Sequence, residues 1–73
     1  MSIVLNHTLV DSESGRPRTH GSVGARFGSA RNDGTVSLYQ WHGTTLGRCR
    51  NSQCSTYRKA QRKLLQWLKG YNV

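Results

Sequence analysis

Apolar residues recur most regularly between Ser52 and Tyr71. Tyr57, Ala60, Leu64, Trp67, Leu68 and Tyr71 are spaced as one face of a helix. Arg58, Lys59, Arg62, Lys63, Gln66 and Lys69 occupy the opposite stripe, and Leu65 lies at the border, beside Arg58, Arg62 and Lys69. The pattern predicts an amphipathic helix with an unbroken basic back. Ser52 or Ser55 suits its start, because a serine oxygen accepts an orphan backbone N–H. Gly70 suits its end, where a left-handed residue is wanted. Arg58 and Lys59 oppose the helix dipole, which disfavours a cation in the first turn by roughly 0.3–1 kcal/mol. Helix stability alone would not select them, so the basic back reads as a docking surface for something acidic.

Upstream, the period changes from helical to alternating. Val36 to Trp41 is the best strand, with Val36 and Leu38 on one face and Tyr39 and Trp41 on the other. Val23 to Phe27 alternates too, placing Val23, Ala25 and Phe27 together and Arg26 opposite. Asn32-Asp33-Gly34 between them is a strong turn signal, since all three residue types tolerate positive φ. His42-Gly43 is a second turn, and Thr44 to Cys49 returns as a third strand. The first ten residues, rich in β-branched side chains, read as a strand or extended arm. The segment 11–22 holds Ser12, Ser14, Gly15, Pro17, Gly21 and Ser22 and reads as a flexible loop.

The expected fold is therefore small α+β. A three-stranded antiparallel meander, or four strands if the N-terminal segment joins, packs against one C-terminal helix. The expected organisation is an arm at 1–10, a loop at 11–22 and a core at 23–73, within a single domain. The helix stripe is expected to cover the sheet face carrying Phe27 and Leu38. Core candidates are Val23, Phe27, Val36, Leu38 and Leu46, with Ile3, Leu5 and Leu9 as additions.

Charge sharpens the picture. The chain has 73 residues and a formal net charge of +8. Its acids are Asp11, Glu13 and Asp33, and none follows Asp33. Arg48, Arg50, Arg58, Lys59, Arg62, Lys63 and Lys69 do follow it. Such a surface repels itself and gains by meeting phosphate or a carboxylate-rich protein. No apolar run is long enough to cross a bilayer. Residues 1–10 lack a positive n-region and a small-residue cleavage site, so an intracellular, cytoplasmic monomer with reduced cysteines is expected.

Catalysis is poorly supplied, because three acids offer no paired-carboxylate site and the core is too small for a dry pocket. The expectation is a non-enzyme without cofactors. His20, His42, Cys49 and Cys54 are zinc-ligand types, but four residues separate the cysteines and the histidines have no helical partner, so no metal is expected. Nucleic-acid binding is the generic reading of the charge. Arg26, Tyr39 and Trp41 on one sheet face, with Arg16, Arg18 and Arg48, form the candidate surface for it. The competing reading packs Tyr39 and Trp41 beneath the N-terminal segment.

Several resemblances bear on these readings. Gly15-Arg16-Pro17-Arg18 resembles the core of the AT-hook, which lies in the minor groove of A·T-rich DNA. The stretch from Val23 to Tyr71, with Thr45-Leu46-Gly47, is similar to the three-stranded DNA-binding domains of phage integrase arms and ethylene-response factors. That similarity implies a sheet laid in a major groove. Tyr57-Arg58-Lys59-Ala60-Gln61 resembles the last helix of double-stranded-RNA-binding domains. In size, basicity and arginine, glycine and serine usage, the chain resembles the small regulators of lytic phages that bind bacterial RNA polymerase. This resemblance implies inhibition of initiation, promotion of antitermination and stoichiometric binding to an acidic polymerase surface; the basic helix back fits such a surface, with Arg58, Lys59, Arg62, Lys63, Leu65 and Lys69 as the expected docking residues. Polymerase is the leading expectation for a partner and nucleic acid the alternative.

Overall fold

A computed structural model describes residues 3–73, with only the backbone described at Thr8 and Arg48. Five strands follow one another: β1 (Val4–Val10), β2 (Pro17–Val23), β3 (Arg26–Arg31), β4 (Thr35–His42) and β5 (Thr45–Gln53). One helix, α1 (Tyr57–Leu68), closes the chain. Each strand pairs antiparallel with the next, so the sheet is an up-and-down meander in the order β1-β2-β3-β4-β5. Helix α1 crosses one face, chiefly on β3, then on β4 and β2. The α+β class is as expected, but the strand count is five.

The two further strands come from segments read as arm and loop. Pro17–Ser22 is not loop but most of β2. Its Thr, His, Ser and Gly composition resembles a turn, yet Arg18, His20, Gly21 and Ser22 each pair with both β1 and β3. Pro17 is tolerated because it is the first residue of its strand. Residues 11–16 alone remain as a turn, closed by hydrogen bonds from the Asp11 N–H to the Arg16 carbonyl and from the Gly15 N–H to the Asp11 carbonyl. Ser14 donates to the Asp11 carboxylate through both N–H and hydroxyl. The Ser14 bonds, first the side chain's and then the backbone's, hold the Asp11 pKa below the ordinary aspartate value. Thr35 does the same for Asp33 in the β3–β4 turn. A lowered folded pKa stabilises above the unfolded value and is lost as pH falls through the folded one.

A hairpin hidden in Val23–Phe27 decides the faces. Gly24 takes a φ of +54° and, with Ala25, turns β2 into β3. Val23 then faces Arg26 and Ser22 faces Phe27. Arg26, Gly28 and Ala30 therefore point at the helix, while Phe27 points away. The expected placement of Phe27 under the helix, and of Arg26 opposite it, is reversed.

The core is Ala30, Val36, Leu38, Ala60, Leu64, Trp67 and Leu68, with Ile3, Val23, Cys54, Tyr57 and Val73 packed around it. Phe27 is absent from this core for the reason just given, and Leu46 is 45% exposed near the β4–β5 turn. Tyr71, expected on the buried stripe, lies beyond the helix and is 62% exposed. The helix is capped not by Ser52 or Ser55 but by Thr56, the residue after Ser55. Thr56 is extended, and its hydroxyl accepts the Lys59 N–H at 3.2 Å. Gly70 ends the helix at φ +105°, as its position suggests.

Close approach of α1 to the sheet depends on glycine in β3. A methyl group on Gly28 would strike the Ser37 carbonyl and stand 2.9 Å from Leu64 Cδ1. The backbone carbonyl cannot move without disturbing the β3–β4 ladder. Gly28→Ala is expected to lower stability by about 1–3 kcal/mol, the usual cost of overpacking, as read from urea unfolding. The outward neighbour change Ser29→Ala provides the comparison and is expected to cost less.

Candidate functional site

Two surfaces carry the residues singled out in the sequence: the back of α1 and the sheet face turned away from it.

The helix back is assembled by the same period that builds the core. Burial of Ala60, Leu64, Trp67 and Leu68 forces Arg58, Lys59, Arg62 and Lys69 outward, where all four are exposed. Lys63 and Leu65 flank them and are half-buried. The first turn contains no acid. Among the described residues, none of these five cationic side chains makes a hydrogen bond or ion pair. On one side of the back lies a shallow groove of about 300 Å³, lined by Cys54, Lys59, Arg62, Lys63, Gln66 and Val73. Three lining residues are cations and none is an acid.

Other cations are used inside the fold. Arg26 reaches from β3 to the end of α1. It donates to the carbonyls of Trp67 at 3.0 Å and Tyr71 at 3.1 Å, and to Asn72 Oδ1 at 3.0 Å. Its guanidinium carbon stands 4.0 Å from the Trp67 ring centroid. The last turn of α1 has no basic residue of its own. Arg26 therefore supplies both the missing donors and the positive charge that a helix C-terminus favours. Arg50 likewise donates to the Val73 carbonyl at 2.9 Å. Arg26→Ala is expected to destabilise the domain by about 1–3 kcal/mol, from lost charged hydrogen bonds, with a lower thermal midpoint. Asn72 and Tyr71 amides should then exchange faster, because their segment loses its tether.

On the outer sheet face the register gathers an aromatic row. Phe27 opposes Tyr39 across the β3–β4 pair. Their rings stack at 5.0 Å and 21°, and Trp41 stacks on Phe27 at 5.8 Å and 23°. His20, on β2, stands 6.5 Å from Phe27. Arg18 faces Arg31 across the β2–β3 pair on the same side. Arg18 Nη1 donates to Ser29 Oγ at 3.3 Å, and His20 Nδ1 lies 3.2 Å from the same oxygen. Arg31, itself exposed, stands 3.8 Å from the half-buried Asp11, a long ion pair.

Of the residues expected on a nucleic-acid surface, the structure brings some together and separates others. Tyr39 and Trp41 do share a face, joined by Phe27, His20 and Arg31, which the sequence reading left out. A two-residue Gly24-Ala25 hairpin was the signal that would have found them. Arg26 leaves that face for the helix end. Arg16 is exposed in the 11–16 turn, and the Arg48 side chain is outside the described residues. The Gly15-Arg16-Pro17-Arg18 stretch is a turn running into β2 rather than an extended free hook. Segment β1 lies along the edge of β2 instead of covering Tyr39 and Trp41.

The cysteines lie apart in role. Cys49 pairs with Tyr39 on β5 and is exposed, whereas Cys54 packs against the core beneath α1. Among the described residues no three His, Cys, Asp or Glu side chains gather as a metal site requires. No described helix is long and apolar enough to cross a membrane.

The fold and surfaces define a small α+β domain with a basic helix on one side and an aromatic sheet face on the other. Comparison with family models, curated proteins and solved structures finds no match.

Proposed function

We propose that the chain is a non-enzymatic transcription regulator that docks on bacterial RNA polymerase through the back of α1, inhibits initiation and promotes antitermination. The observation that carries the docking is the division of its cations. Arg18, Arg26, Arg31 and Arg50 are engaged within the fold. Arg58, Lys59, Arg62 and Lys63 on α1 and Lys69 at its C-cap have no partner among the described residues, and the first two stand where the dipole opposes them. A local arrangement that works against stability marks a surface kept for function. Leu65 adds an apolar contact beside the charges, which suits a protein surface better than a phosphate backbone. The resemblance to phage polymerase regulators supplies the partner.

Transcription with purified bacterial RNA polymerase on a template bearing a promoter and a terminator tests this function. Added before promoter binding, the protein should reduce initiation. Added to stalled elongation complexes, it should increase the read-through product. Unchanged transcript yield and unchanged termination at saturating protein would refute the regulatory role.

A further inference from the structure

We propose a second binding surface: the outer sheet face takes single-stranded nucleic acid, with bases stacking on Trp41 and Tyr39. This face lies across the sheet from α1, so its activity and the docking of the helix hold or fail independently.

The rings are built as a platform. Phe27 forms its middle, with Tyr39 and Trp41 both stacked on it at small interplanar angles. Trp41 nevertheless remains 44% exposed. In the same molecule Trp67 is fully buried. The difference arises because α1 covers the other side of the sheet and β1 extends its edge, leaving no described element over the platform. Tyr39 and Trp41 belong to one strand, which fixes their spacing and limits the ordering cost of binding.

The chemistry around the rings selects the occupant. Arg18 and Arg31 stand on the same face, with His20 between them and the rings; each makes one contact within the fold, to Ser29 and to Asp11, and a guanidinium has further N–H donors to offer a phosphate. The three acids of the chain lie in or beside the 11–16 and 32–34 turns, at the end of the sheet that holds Arg18 and Arg31 and away from Trp41 near the β4–β5 turn. Ser29 restrains both Arg18 and His20. A flat aromatic surface with cations and hydroxyls is what an unstacked base and its phosphate require. Base–aromatic stacking gives affinity with little regard to sequence, and arginines track the backbone. A duplex keeps its base faces within its own stack and cannot use the rings, so the single strand is the form selected.

The test is fluorescence anisotropy of the full chain with labelled oligothymidylate and oligouridylate of about 12 nucleotides, within the usual site size of such surfaces. A duplex of equal length is the comparison, and the DNA and RNA arms show which backbone is preferred. Both single strands should bind more tightly than the duplex. Trp41→Ala and Tyr39→Ala should each weaken single-strand binding by roughly 5- to 150-fold, the range for loss of one stacking ring. Trp41→Phe should retain most of the affinity, because a ring remains. Circular dichroism of each variant should show the native fold, since neither residue belongs to the core. Absence of single-strand binding, equal or tighter duplex binding, or folded alanine variants that bind as the parent does would each overturn the assignment. So would ring variants that lose polymerase binding while no oligonucleotide binds, which would give the face to a protein.

Discussion

Trp67→Ala is expected to leave most of the protein unfolded at room temperature. Trp67 is the largest fully buried side chain, and it does three things at once. It fills the space between α1 and the sheet. Its indole N–H donates to the Tyr39 carbonyl at 3.1 Å, tying the helix to β4. Its ring also seats the Arg26 guanidinium that caps the helix end. Truncation removes the packing at a cost of about 3–5 kcal/mol. An unsatisfied carbonyl adds about 1–3 kcal/mol if water does not reach it. At roughly 0.05–0.15 kcal/mol per residue, a domain of this size holds only about 4–11 kcal/mol in total. Amide NMR dispersion should collapse in Trp67→Ala and persist, with a lower midpoint, in Trp67→Phe. A folded Trp67→Ala with native dispersion would mean that the helix is held by something other than this core.

Substituting Arg58 and Arg62 together by Ala should produce the opposite pattern: an intact fold and impaired binding. Neither side chain makes a hydrogen bond or ion pair among the described residues. Removing them relieves repulsion along the helix back, and Arg58 also sits unfavourably near the positive end of the dipole. The thermal midpoint is therefore expected to stay level or rise slightly. Binding to an acidic surface should weaken by at least about 30-fold, the effect of one interfacial residue worth about 2 kcal/mol. Leu65→Ser separates partner classes. It should weaken binding to a protein surface, where an apolar anchor is desolvated, and leave attraction to a phosphate backbone nearly unchanged.

The helix was legible in the sequence because its period continues over three turns and its two faces differ sharply in chemistry. Its buried residues Ala60, Leu64, Trp67 and Leu68 follow directly from that spacing. The β3–β4 and β4–β5 turns were legible for a local reason as well: Gly34 and Gly43 both take positive φ, at +92° and +61°. Strand β2 was hidden because Thr19 and Gly21, both buried, look like loop residues in isolation. Thr19 is buried as a polar node, within 2.8 Å of the Tyr57 hydroxyl and accepting from Gln61 Nε2 at 2.9 Å. Gly21 is buried because Leu68 and Leu5 occupy the space a side chain would need. Both reasons lie in the helix and in β1, distant along the chain.

The aromatic face shows how a single unnoticed turn propagates. Alternation through Val23, Ala25 and Phe27 suggested one continuous strand, but Gly24 and Ala25 reverse the chain. Arg26 and Phe27 on β3 therefore change side relative to the continuous pattern, whereas Val36, Leu38, Tyr39 and Trp41 on β4 keep the faces expected of them. Arg26 thereby becomes a helix cap instead of a ligand-facing cation, and Phe27 becomes the middle of the outer platform. The helix back escaped this error, because its side chains are placed by α1 alone.

The most direct measurement of the central claim is a binding titration of nuclease-treated, purified bacterial RNA polymerase with the labelled protein and with its Arg58→Ala/Arg62→Ala variant. Saturable binding near one protein per polymerase, weakened by at least about 30-fold in the folded variant, is the predicted result. Absence of binding by the parent protein, or equal binding by both, would contradict docking through the back of α1.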